Sequence, residues 1–260
     1  MPSDKMGISG IQNLPVLLFL LFPFTFLGTY LAGVLQGHVE PNFPYISDAA
    51  SYPPESCVFS QLINLGSVLM VLLIYVRYCA ICQYYELYSI SPNIMVLNKL
   101  GLFLGICSAL GLSIVANFQS LAVKTVHFAG ACLCFGAGTL YFWIQALCSY
   151  QMHSLVHSII LAHFRVGLSM VCTVFFVISL VTGVQSRIEF DGDDVTKWYP
   201  DDKGWMLHVV STGSEWITAT CFCIYILTFY SEFSLISFTH PKINLRHHIT
   251  SECEEDLLHS

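Results

Sequence analysis

The sequence predicts an all-α fold: a polytopic membrane protein built as a six-transmembrane helical bundle with short loops. Three observations predict it. The 260 residues are 55% hydrophobic and only 10% charged, whereas a soluble domain carries roughly 25% charged residues. Mean hydropathy is +0.66, so lipid rather than water is the natural solvent for most of the surface. Six apolar runs, each near the ~20 residues that cross a bilayer, alternate with segments that hold most of the prolines and most of the charge. The net charge of −7 sits in loops and tail, and no basic stripe suggests nucleic acid.

The first span is expected at 14–35. It follows Lys5 closely, but it is long for a signal-peptide core and no A-x-A site follows, so it reads as retained. Loop one, 36–56, holds Pro41, Pro44, Pro53 and Pro54 and cannot be a long helix. The second span is expected at 57–78, followed by a tyrosine-rich loop two at 79–97. Spans three and four, at 98–118 and 125–147, are joined by a tight turn. The fourth connection carries His153, His157 and His163. The fifth span is expected at 164–184. Loop five, 185–205, is acidic, with Glu189, Asp191, Asp193, Asp194, Asp201 and Asp202. The sixth span is expected at 206–230. Residues 1–235 form the transmembrane domain, and 236–260 are expected to be a disordered cytosolic tail.

Lysine and arginine set the orientation. Lys5, Arg77, Lys99, Arg165, Lys242 and Arg246 fall on one side, against Lys124, Arg187, Lys197 and Lys203 on the other. Loop one has none. The asymmetry favours both termini in the cytosol. Small residues recur every four positions at Gly101, Gly105 and Ala109, and again at Gly130, Cys134 and Gly138. Such rows let helices approach closely, and packing within the chain is the expected use.

Ionisable groups inside a bilayer are costly and mark candidate sites. Glu215 lies about nine residues into the sixth span, ~13 Å deep at helical rise. His208, Asn117, His127 and Asn64 fall in the same leaflet by this topology. Together with Glu215 they form a candidate buried polar cluster; the alternative is that each satisfies a neighbour and fixes packing. His153 and His157 have the spacing of a metal pair, but no third and fourth ligand accompany them, so they are expected to lie in a solvated loop. No metal or cofactor site is read. Of eleven cysteines, most fall within apolar runs as packing residues. Cys79, Cys82 and Cys148, at span ends, are candidates for lipidation. Tyr84 and Leu87 fit a tyrosine-x-x-hydrophobic sorting signal, and Leu257 with Leu258 resembles an acidic dileucine. There is no nucleophile elbow, P-loop, zinc-protease helix or dinucleotide fingerprint, so the residues argue against an enzyme.

Several stretches resemble the DRAM family, the DNA-damage-regulated autophagy modulators, within the wider Frag/DRAM/Sfk group. They are Phe43-Pro44-Tyr45-Ile46-Ser47-Asp48, Pro53-Pro54-Glu55-Ser56, Tyr75-Val76-Arg77-Tyr78 and the run from Gly111 to Gln119. His127 with Gly130-Ala131, Ser149-Tyr150-Gln151, Asp202-Lys203-Gly204, His208-Val209 and Glu215-Trp216 complete the set. The resemblance implies six spans, a lysosomal or late endosomal membrane, and a regulator of autophagy with a link to apoptosis. It implies action through the bilayer and other membrane or autophagy proteins, with no accepted enzymatic mechanism. Pro53-Pro54-Glu55-Ser56-Cys57 running into Phe59-Ser60-Gln61 also resembles a sister branch linked to plasma-membrane phosphoinositide-kinase complexes. Three readings therefore stand: an autophagy regulator acting through partners or lipids, a proton-linked transporter using the Glu/His cluster, and a plasma-membrane scaffold.

Overall fold

A computed structural model describes residues 7–8, 10–42, 44–153 and 155–239. Six helices are long and apolar enough to cross a membrane. They are α1 (Leu14–Leu35), α2 (Glu55–Tyr88), α3 (Asn93–Asn117), α4 (Lys124–Met152), α5 (Ile159–Glu189) and α6 (Trp205–Leu227). A single turn, α7 (Tyr230–Phe233), continues α6. Two residues before α1, Gly7–Ile8, pair antiparallel with Phe238–Thr239 after α7. The bundle therefore has a termini end and an opposite end carrying loops one, three and five.

The spans fall where the apolar runs predict, but loop two, the fourth connection and loop five are shorter than expected. Residues 79–88, expected in loop two, continue α2 as helix. No proline or glycine interrupts that stretch, so nothing breaks the ladder until Ser89 turns left-handed at φ 49° and Pro92 opens α3. Asn98, expected at a span end, is buried within α3 and donates to the Tyr78 carbonyl at 2.9 Å. Likewise α5 begins at Ile159, so His163 is helical rather than in a loop.

Neighbouring helices meet through small residues. A Cβ on Gly111 of α3 would lie 2.4 Å from the Cys134 backbone nitrogen of α4, and one on Gly130 would strike Ile114. Gly105 faces Ile74 of α2, and Gly101 faces Ile144 and Gln145 of α4. The small-residue rows thus serve packing within the chain. Between apolar outer faces, exemplified by exposed Leu20, Phe24 and Leu31 on α1 and Val174, Val177 and Val181 on α5, the core mixes aliphatic and aromatic side chains. Phe142 stacks on Tyr225 with centroids 3.9 Å apart, and the Tyr225 hydroxyl donates to the Phe142 carbonyl at 2.8 Å.

Loops one and five are folded onto the bundle. Trp198 is buried; Thr196 donates to the His38 carbonyl at 3.2 Å and the Tyr199 hydroxyl to Glu40 at 3.0 Å. The carboxylate of Asp191, 2.9 Å from Lys203, is held below its ordinary value by that lysine, which is raised in turn.

Candidate functional site

Helix ends bring two polar clusters inside the bundle, one at each end. At the termini end, Arg77 of α2 and Arg165 of α5 converge on Glu232 of α7, all three essentially without exposed surface. Arg77 donates to one carboxylate oxygen of Glu232, and Arg165 reaches the other at 2.6 Å. Gln145 accepts from Arg77 at 3.0 Å, while Ser149 and Thr228 accept from Arg165. Phe229 lies beneath both guanidiniums, 5.2 and 4.6 Å from their carbons.

This cluster corrects several expectations. Arg77 and Arg165, counted among the charges of the cytosolic side, are buried and neutralised in the bundle interior. Glu232, two residues past the expected sixth span, belongs to the packed bundle. His157 is not solvated. Its side chain is buried 3.2 Å from Glu232, and its other ring nitrogen lies 3.2 Å from the Ser149 carbonyl. His153 is exposed and His163 packs on Tyr150, so the three do not converge. The readable signal was the absence of a helix breaker between Arg77 and Tyr88, which carries α2 on past Arg77.

At the opposite end, loop one inserts Tyr45–Asp48 into the bundle. Asp48 accepts from Ser120 at 2.6 Å and from Arg187 at 3.3 Å. The Arg187 guanidinium covers the Tyr45 ring at 5.4 Å. The Tyr45 hydroxyl donates to Ser211 at 2.7 Å, and burial pushes it up to about 12. Gly183 permits this insertion: a Cβ there would stand 2.8 Å from the Tyr45 oxygen. Trp216 anchors the same segment through the Pro44 carbonyl at 3.0 Å.

Below the inserted segment lies a cavity of about 180 Å³. Its polar rim includes Lys124, His127, Ser120 and Arg187; its depth is lined by Phe22, Phe135, Phe176, Phe222 and Ile226. Glu215 lines the wall between, and no group among the described residues bonds its Oε2. Of the five candidate cluster residues, His127 and Glu215 thus share one cavity. His127 is tethered to the Phe118 carbonyl at 2.6 Å. His208 stands behind, stacked on Trp198 at 4.1 Å and edge-on to Tyr45 at 5.2 Å. Asn64 and Asn117 bond each other at 2.9 Å, with Ser113 donating to Asn64 at 2.7 Å, and pin α2 to α3 apart from the cavity.

The remaining candidates among the described residues lie at the termini end. Tyr84 is half-buried and Leu87 exposed on the helical extension of α2. Cys79 and Cys82 are partly exposed there. Cys148 is fully buried among Ile81, Ile94, Ile144 and Met152, so acylation there would require opening that packing. Leu257 and Leu258 lie outside the described residues.

A family model described as the Frag1/DRAM/Sfk1/Cwh43P N-terminal domain matches residues 10–236. The chain is 38% identical over 235 residues to the rat protein named DNA damage-regulated autophagy modulator protein 2, covering 88% of this chain and 85% of that one. The human protein of the same name is 37% identical over 234 residues, covering 88% and 86%. The mouse DNA damage-regulated autophagy modulator protein 1 is 34% identical over 231 residues, covering 88% and 94%. No solved structure matches the chain.

Proposed function

This chain belongs to the Frag1/DRAM/Sfk1/Cwh43P family, and from that premise we propose that it is a membrane regulator of autophagy that acts by binding rather than by catalysis. The observation that carries the reading is similarity along 88% of the chain to proteins named autophagy modulators. The compartment proposed is the lysosomal or late endosomal membrane, with both termini in the cytosol and loops one, three and five in the lumen. Tyr84 and Leu87, together with Leu257 and Leu258, are the proposed sorting determinants. The direct partner is another membrane or autophagy protein, or a lipid.

The architecture supports binding over transport. The cavity occupies the half of the bundle near loop one, whereas the other half is filled by the Phe142–Tyr225 stack and the Arg–Glu cluster. Deleting the gene and restoring the protein in cells tests the reading. Autophagic flux, read as lysosome-dependent turnover of a lipidated autophagosome marker, is expected to fall and recover. Unchanged flux in the deletion overturns the reading. Proton-driven flux in proteoliposomes that Glu215→Gln abolishes would favour the transporter instead.

A further inference from the structure

We infer that the cavity beneath loop one is a binding site for a single-chain phospholipid, with its phosphate head at the Lys124–Arg187 rim and its acyl chain among the buried phenylalanines. The inference rests on how polarity is arranged along the cavity. At about 180 Å³ the cavity is many times the ~10–15 Å³ that a single water needs, room enough for an alkyl chain. The deep walls carry Phe22, Phe135, Phe176 and Phe222, a surface complementary to an alkyl chain and hostile to a hydrated solute.

The rim has the opposite character. Lys124 opens α4 and is exposed. Arg187 holds Asp48 through one Nη nitrogen while its guanidinium has further donors. Together they present positive charge at the depth where the inserted loop meets the bundle. Between rim and depth stands Glu215, whose Oε2 has no partner among the described residues. A buried polar atom without a hydrogen bond is costly. A glycerol hydroxyl lies between phosphate and chain in a lysophospholipid and supplies a donor at that level. Cation, carboxyl and aromatic wall thus follow the order of phosphate, glycerol and alkyl chain.

The side of entry follows from the lining. The α4 contribution includes exposed Phe128 and half-buried Ala131 and Cys132. The α5 contribution includes Phe176, Leu180 and Gly183. Further along the two helices the Trp143 indole donates to Thr173 at 2.9 Å, closing the seam. A lipid would enter laterally between α4 and α5, from the leaflet next to loop three.

The test uses the purified full chain in detergent and a photoreactive, alkyne-tagged lysophosphatidic acid, with adducts mapped by peptide mass spectrometry. Label is expected on cavity-facing residues of α4, α5 and α6. Label distributed evenly over the outward faces, such as Leu20 and Phe24 of α1, overturns the proposal. Untagged lysophosphatidic acid should compete. Equal competition by sphingosine overturns the anionic head, and equal competition by a two-chain phosphatidic acid overturns the single chain. Lys124→Glu should weaken labelling about fivefold, the scale of one exposed charge contact, while Lys99→Glu at the termini end should leave it unchanged; equal effects overturn the rim assignment. Ala131→Phe should reduce label to background by filling the cavity. Cys132→Phe, from the adjacent position on the same wall, takes its place if Ala131→Phe elutes as aggregate. Persisting cavity label in a folded filled variant refutes the site.

Discussion

Glu232 holds two arginines at once, and that single carboxylate decides whether the termini end of the bundle can close. Removing it leaves two buried guanidiniums facing each other across a low-dielectric core. Breaking a buried pair by deleting one partner costs about 3–5 kcal/mol, so Glu232→Ala is expected to abolish a cooperative melt in detergent. Replacing all three charges together, with Glu232→Leu, Arg77→Met and Arg165→Met, should cost much less, because no unpaired charge remains. Equal melting temperatures for the single and triple variants would show that the cluster carries no electrostatic weight. At the other end Tyr45→Phe deletes only a hydroxyl. Ser211 keeps its second bond, donating to the Ser179 carbonyl at 2.7 Å. The expected cost is about 1 kcal/mol, that of one buried neutral hydrogen bond, read as a small drop in the same melt.

Glycine at a helix–helix contact and glycine on a free helix face make opposite demands. The Gly111 position admits no Cβ, since the α4 backbone already stands 2.4 Å away. Gly111→Ala must push α3 from α4, and overpacking of this kind typically costs about 1–3 kcal/mol. Gly167 of α5 has nothing within 4 Å of its added Cβ. Gly167→Ala is therefore expected to be neutral or to stabilise by about 0.5–1 kcal/mol through helix propensity. Thermal melting of the two variants under one detergent condition checks the pair, and matched shifts would contradict the packing argument. The same scale explains the shortened connections. Breakers end helices, so loop one, with four prolines, was legible as irregular. The stretch 79–88 has none, and its tyrosines and polar groups do not stop a ladder that lipid and packing sustain.

As a whole the molecule is a bundle whose polar groups are gathered at two ends, with loops one and five folded as a cap over one of them. The Asp191–Lys203 pair belongs to that cap. Its carboxylate is depressed below 3.8 and its lysine raised above 10.5, so its contribution is present above the unfolded carboxylate value and lost only as pH falls through the lower folded one. Protection factors of residues 190–204, exchange rates corrected for the intrinsic pH dependence of amide exchange, are expected to be the same at roughly pH 5 and pH 7; loss of protection at the lower value would contradict this. Epitope tags at Ser3 and Ser260 should both be reached after selective permeabilisation of the plasma membrane, and a protected tag at either end would reverse the proposed topology.

Burial of Arg77 and Arg165 takes two cations out of the count that suggested this orientation, which makes that measurement decisive. The sequence by itself determined the class, the six spans and the family, because length, apolar runs and proline placement are local properties read along the chain. It also marked Glu215 as unusual, since a carboxyl in an apolar run is costly wherever its neighbours lie. Only the tertiary structure decided partners. Arg77, Arg165 and Glu232 are separated by 67 to 155 positions. Asp48 reaches Arg187 across 139. Loop one passes into the bundle only because Gly183 leaves room for Tyr45. Charge pairing and cavity shape depend on which helix faces meet, and helix period alone does not specify the neighbour.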